Sequence, residues 1–105
     1  MLHSFYKGTA AMSVSFEPEG EWQLEEARLH LSSAGGATEN YTITLDSVKG
    51  DEYDIVLSSN AMASDADVQY KPTRADAFVS GDKLLFQYAN TNTRAWGLEI
   101  TYSHI

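Results

Sequence analysis

The last quarter of the chain alternates apolar and polar residues with a period of two. The apolar positions are Leu84, Phe86 and Tyr88 in one segment, and Trp96, Leu98, Ile100 and Tyr102 in the next. Such alternation is typical of strands in a half-buried sheet. Ser80–Asp82 is a turn signal before the first segment, and residues 90–94 form a polar loop between the two. The pattern predicts an antiparallel hairpin with Trp96 in the core.

Shorter segments of the same kind occupy most of the remaining chain. They are Ala11–Phe16, Thr38–Val48, residues 53–57 and Asp67–Lys71, and residues 76–79 lead into the closing hairpin. Turn signals separate them at intervals of about ten residues, as in sandwiches and jelly rolls. We therefore predict an all-β, jelly-roll-like antiparallel β-sandwich of seven or eight short strands. Its 105 residues suit a single domain, 1–105.

The segment Glu21–Ser33 allows a helix or a strand. Leu24, Ala27 and Leu31 have the spacing of one helical face. As a strand, the segment alternates through Leu24, shifts phase by one at Glu25–Glu26 and then resumes, which is the signature of a β-bulge. We interpret it as a bulged strand because its neighbours are strands.

The N-terminal residues 1–9 allow a partner-binding arm, an edge strand or a fraying terminus. Leu2, Phe5 and Tyr6 carry more apolar area than a free tail needs, so we predict that they bind a partner. Trp22, at the entrance to a strand beside an acidic loop, is a further candidate partner-binding residue. A place in the core is the default interpretation for Trp22, and stacking on a sugar is the remaining alternative.

Composition excludes several classes of partner. The 15 acidic and 7 basic residues give a formal charge of -8, which repels nucleic acid and anionic membranes. No run of residues approaches transmembrane length. The chain has no cysteine, and its first residues lack the apolar core of a signal peptide. We expect it to be made in a cytoplasm and not to be secreted by a signal peptide.

No motif in the sequence predicts catalysis or a cofactor. His3, His30 and His104 do not have metal-ligand spacing. The adjacent carboxylates of Glu25–Glu26 and Asp51–Glu52 would point to opposite faces of a strand. The loop carboxylates of Asp65, Asp67, Asp76 and Asp82 could gather around calcium, but they match no EF-hand and are interpreted as solvated. We predict a protein that is not an enzyme and has no catalytic, cofactor-binding or metal-binding residues.

Several short motifs resemble small structural proteins of tailed bacteriophages. They are Phe-Glu-Pro (16–18), Arg-Leu-His-Leu (28–31), Glu-Asn-Tyr-Thr-Ile-Thr-Leu (39–45), Tyr-Asp-Ile-Val-Leu (53–57), Ser-Gly-Asp-Lys-Leu (80–84) and Trp-Gly-Leu-Glu-Ile-Thr-Tyr (96–102). The similarity runs from Ser15 to Tyr102, and these motifs are structural rather than catalytic.

The resemblance implies a virion component, such as a capsid decoration protein or a head or tail accessory. Such a protein would be made in a bacterial host cytoplasm. It would bind other capsid or tail proteins in many copies and form a homo-oligomer. A carbohydrate-binding module with exposed aromatic residues is the alternative from another class.

Overall fold

The alternating segments form strands in the structure. The computed structural model describes residues 1–73 and 76–105, the side chain of Asp76 excepted. The strands are β1 (Leu2–Gly8), β2 (Met12–Phe16), β3 (Trp22–Leu31), β4 (Asn40–Asp46), β5 (Ile55–Ala61), β6 (Asp67–Tyr70), β7 (Asp76–Phe78), β8 (Lys83–Tyr88) and β9 (Trp96–His104). One turn of 3-10 helix, Asp51–Tyr53, precedes β5. No helix among the described residues is long and apolar enough to cross a membrane.

The strands pair in two antiparallel sheets that face each other. The larger sheet has the order β1-β9-β3-β6, with β7 also paired to β3, and the smaller sheet has the order β2-β8-β4-β5. The prediction of an all-β antiparallel sandwich is confirmed. The strand number is above the predicted seven or eight, because the N-terminal segment forms β1 and the three residues of β7 also pair.

The predicted closing hairpin is wrong. β8 pairs with β2 and β4 in the smaller sheet, whereas β9 pairs with β1 and β3 in the larger one. Residues 89–95 therefore cross from one sheet to the other. Period-two alternation gives the inner face of each strand but not its partner, so two consecutive strands of a sandwich resemble a hairpin in sequence.

The long strand β3 contains the predicted bulge. Its register with β9 shifts between Leu24 and Glu26, so one extra residue lies on the β3 side. Because of that residue, Leu24 and Ala27 both face the interior although they are three positions apart. The strand interpretation of Glu21–Ser33 is confirmed, and the helix alternative is excluded.

The core lies between the sheets. Its buried apolar side chains are Met12, Phe16, Trp22, Leu24, Ala27, Leu29, Leu31, Tyr41, Ile43, Met62, Phe78, Leu84, Phe86, Tyr88, Trp96, Leu98 and Ile100. One end of it is aromatic: the ring centroid of Trp22 lies 4.6 Å from that of Phe78 and 5.4 Å from that of Phe16. The Phe16 and Trp22 rings meet edge to face, a favourable geometry for aromatic pairs.

Candidate partner-binding surface

Three loops meet at one end of the sandwich. Residues 17–21 join β2 to β3, residues 47–54 join β4 to β5, and residues 79–82 join β7 to β8. Strand register places their ends side by side, because Phe16 pairs with Leu84 and Asp46 with Lys83. Ile105 also lies here, and its backbone N–H donates to the carbonyl oxygen of Glu21 at 3.0 Å.

These loops concentrate the negative charge of the protein. Together with the last residue of β4 they carry eight of its 15 acidic residues, against the two cations Lys49 and Lys83. The eight are Glu17, Glu19, Glu21, Asp46, Asp51, Glu52, Asp54 and Asp82. We call this surface the acidic end. Charges of one sign that are gathered on one surface attract oppositely charged partners and accelerate their association.

Exposed apolar side chains lie among these carboxylates. All six residues from Asp51 to Val56 are exposed. Val48 and Tyr53 are 55% and 62% exposed, and Ile55 and Val56 are 56% and 55% exposed. Successive strand residues point to opposite faces, so the exposure of both Ile55 and Val56 shows that the start of β5 extends beyond the core. Apolar side chains grouped on a surface in this way are typical of interaction sites.

β4 and β5 pair as a hairpin, and a buried carboxylate holds its base. Asp82 is 6% exposed, and its Oδ1 and Oδ2 accept hydrogen bonds from the backbone N–H groups of Val48 at 3.0 Å and Val79 at 3.1 Å. A Cβ on Gly81 would lie 2.7 Å from Cγ2 of Val48, and Gly81 has φ +96°. Both the close approach of Val48 and the positive φ therefore require a glycine at this position. These contacts fix the loop before a partner arrives, which lowers the entropic cost of binding.

The three candidate residues of the N-terminal segment lie on β1, which is an edge strand of the larger sheet. All seven of its residues pair with β9, so the segment is neither a free arm nor a fraying terminus. Leu2 and Phe5 are 42% and 72% exposed, and Tyr6 is partly buried against the core. Leu2 and Tyr6 share one face of β1 and Phe5 lies on the other. Their binding of a partner stays a prediction.

Trp22 requires a correction. Its side chain has no exposed surface and contacts the rings of Phe16 and Phe78, so it cannot meet a partner or a sugar from this position. The core alternative is the right one for Trp22. It lies at the first position of β3 on the same face as Leu24, where β9 and β7 flank it on either side.

The sequence interpretation missed the residues of the acidic end. The pattern of residues 53–57 predicts an ordinary alternating strand and does not single out Tyr53, Ile55 and Val56. One signal marks them: two adjacent β-branched residues follow the acidic run Asp51–Asp54, without a polar residue for an outer face. The grouping of three distant loops depends on strand pairing and cannot be seen in local patterns.

Comparisons with known proteins give a fold and no family. No family model and no curated protein matches the chain. Among solved structures, it is similar to the Drosophila NLP core, described for its pentamer formation and histone binding. The TM-score is 0.51 at 14% sequence identity, and the alignment covers 94% of this chain and 97% of the other. At this identity the similarity shows the shared fold alone.

This comparison corrects the virion interpretation. The solved structure is the core of a histone-binding protein that forms pentamers, not a phage component, so capsid decoration and virion partners have no support. The motifs behind the phage resemblance are strands and turns, which any small antiparallel sandwich needs and which therefore do not specify a function. Trp22 does not support the carbohydrate-binding alternative, because its ring is buried.

Proposed function

We propose that this chain is a non-enzymatic binding protein that assembles into an oligomer and holds a basic polypeptide at its acidic end. The observation that carries the proposal is the segment of residues 51–56 in the β4–β5 hairpin, where three exposed carboxylates lie among three exposed apolar side chains. A surface of this kind fits a partner that has both cationic and apolar groups.

Charge restricts the partner. Eight carboxylates at one end repel phosphate groups and attract lysine and arginine side chains. Exposed ion pairs each contribute little, so charge alone would give fast but weak association. The apolar residues of the hairpin supply the remaining free energy, since each buried aliphatic side chain contributes about 1.5–3 kcal/mol. A basic polypeptide with apolar side chains would gain from both the charge attraction and the burial of apolar side chains.

The comparison supports the same class of partner and the assembly. The Drosophila NLP core has this fold, forms pentamers and binds histones, which are basic proteins. The present chain has the acidic charge that such a partner requires, and its charge is concentrated on one surface.

Binding of labelled core histones, followed by fluorescence anisotropy at physiological ionic strength, tests the proposal. Poly-lysine is the comparison ligand, because it supplies charge without apolar side chains. We expect histones to bind more tightly than poly-lysine. The double variant Ile55→Ser/Val56→Ser should weaken histone binding by at least about tenfold and leave poly-lysine binding unchanged.

A matched pair of charge variants tests the location. Asp51→Asn should weaken histone binding about two- to fivefold and reduce its salt dependence. Asp65→Asn removes the same charge from an exposed loop outside the acidic end and should have no effect. Equal affinity for histones and poly-lysine, or equal effects of the two variants, would overturn the proposal.

A further inference from the structure

The outer face of the larger sheet carries a groove with a bare strip at its centre. Two rows of outward side chains cross four strands, Lys7–Gly97–His30–Asp67 and Phe5–Glu99–Arg28–Gln69. They line an open groove of about 890 Å³. Gly97 contributes no side chain, and a Cβ placed on it would meet no atom of the described residues within 4 Å. The strip therefore lies open between the side chains of Lys7 and His30.

Charges on this face are balanced. Arg28 Nη2 lies 2.7 Å from Glu99 Oε1, and His3 Nδ1 lies 2.9 Å from Glu99 Oε2. His30 Nδ1 lies 2.6 Å from Asp67 Oδ1. The formally charged residues that line the groove are Lys7, Arg28, Asp67 and Glu99, whose charges cancel. Glu26 adjoins them, with its Oε1 3.5 Å from Nε of Arg28. The rest of the molecule, and above all the acidic end, is strongly negative.

A large apolar side chain projects from the same face. Phe5 is 72% exposed, and its ring stacks on that of His3 with a centroid distance of 6.2 Å and an interplanar angle of 10°. Phe5 belongs to β1, and Gly97 belongs to the adjacent strand β9. One face thus presents an exposed ring and, beside it, an open strip that is able to receive a ring.

We propose that two copies of this chain bind each other through these outer faces about a two-fold axis, with Phe5 of each copy over Gly97 of the other. A two-fold interface needs one surface that complements itself. This face meets that requirement in shape, through Phe5 and Gly97, and in charge, through side chains of both signs. The inference rests on the assembly part of the proposed function and names its contact surface.

Charge also explains why the second copy does not bind at the acidic end. Two acidic ends would bring sixteen carboxylates together, twice the eight of one copy, and like charges across an interface oppose association. The Debye length at physiological salt is about 8 Å, so only charges near the interface count. The balanced outer face is where two copies of a protein with charge -8 can approach each other.

Molar mass, measured by light scattering over a concentration series, tests the contact. Gly97→Gln fills the strip without a change of charge, and the open space above Gly97 lets the variant fold. Phe5→Ser removes the ring from an exposed position. Each variant should halve the mass of the wild-type assembly, whether the two-fold contact joins two single chains or two larger oligomers. Tyr53→Ser, which removes an exposed ring outside this face, should keep the wild-type mass.

The outcomes separate this inference from the proposed function. Wild-type mass in both Gly97→Gln and Phe5→Ser, with unchanged melting temperatures, would show that the contact lies elsewhere and would leave the proposed function intact. A monomeric wild type would overturn both the contact and the proposed assembly. Histone binding per chain should persist in Phe5→Ser, because the acidic end is a separate surface.

Discussion

The indole N–H of Trp96 donates a hydrogen bond to the carbonyl oxygen of Ala10 at 2.9 Å. Ala10 lies in the short link between β1 and β2, which belong to different sheets. Asn90, in the link between β8 and β9, donates to the carbonyl oxygens of Ala10 and Thr9, each at 3.1 Å. Both sheet-to-sheet connections at this corner of the sandwich are therefore joined through Ala10.

Replacement of Trp96 should separate packing from hydrogen bonding. Trp96→Phe keeps most of the apolar ring and loses the bond to Ala10, so we expect a loss of about 1–2 kcal/mol in the free energy of unfolding. Trp96→Ala also creates a cavity and should cost about 3–5 kcal/mol. Urea unfolding measures both values. An unchanged stability of Trp96→Phe would contradict a contribution from the hydrogen bond, and equal losses in the two variants would contradict a separate contribution from packing.

Asp82 should stabilise both the fold and the acidic end. Asp82→Ala leaves the N–H groups of Val48 and Val79 without their acceptor, and we expect a loss of about 2–3 kcal/mol. Amide hydrogen exchange at both positions should become faster. Asp65→Ala, at an exposed loop position, should change stability by less than about 0.5 kcal/mol. Unchanged exchange at Val48 would show that the hairpin does not depend on Asp82.

Features that depend on side-chain direction could be predicted from the sequence. Alternation gives the inner and outer faces of a strand locally, so the all-β class could be predicted. The β-bulge could be predicted in the same way, because an extra residue shifts the phase of the pattern, as it does between Leu24 and Ala27. The buried position of Trp96 follows from its phase with Leu98 and Ile100.

Features that depend on strand partners could not be predicted. β8 and β9 alternate equally well as a hairpin or as facing strands of two sheets, and only pairing with β2, β4, β1 and β3 decides between these. The burial of Trp22 depends on Phe16, from which a loop separates it, and on Phe78, which is distant in sequence. The acidic end exists because strand register brings three loops together. Side-chain periodicity does not specify register between distant strands.

The bulge in β3 should make one deletion tolerable. Removal of Glu25 takes out the extra residue, so Trp22, Leu24, Ala27 and Leu29 keep their inward direction and the register with β9 becomes regular. We expect a folded protein with a moderately lower melting temperature. Deletion of Arg28 is the matched control, because it turns Leu29 and Leu31 relative to Ala27 and places apolar residues on the outer face.

Circular dichroism and thermal melts of the two deletion variants check this prediction. The variant without Glu25 should show the wild-type spectrum and a cooperative transition, whereas the variant without Arg28 should lack the transition. Loss of folding in both variants would mean that the bend introduced by the bulge, and not only the direction of the side chains, is required.

Tyr41 should make the protein sensitive to alkali. Its side chain is fully buried, and burial raises the pKa of the phenol above its ordinary value of about 10. The unfolded chain releases this proton near pH 10 while the folded chain keeps it. Above that pH the unfolded state binds fewer protons than the folded state, so the free energy of unfolding falls as pH rises, by up to about 1.4 kcal/mol per pH unit.

Tyr41→Phe should remove this part of the pH dependence. Urea unfolding between about pH 8 and 11 should give a flatter profile above pH 10 for the variant than for the wild type, while below pH 10 the two profiles run parallel. Tyr88 leaves some slope, because burial and then the nearby carboxylate of Glu39 raise its pKa, with Arg94 opposing them.

Two further observations complete the test of Tyr41. No hydrogen-bond partner for its hydroxyl is found among the described residues. At neutral pH, Tyr41→Phe should therefore match the wild type in free energy of unfolding or exceed it by up to about 1 kcal/mol. Tyr53→Phe, which removes the hydroxyl of a ring that is 62% exposed, is the control for the substitution itself. A wild-type slope above pH 10 in Tyr41→Phe would show that another group causes the alkaline loss. The pKa of Tyr41 in the folded protein would then lie close to its value in the unfolded chain.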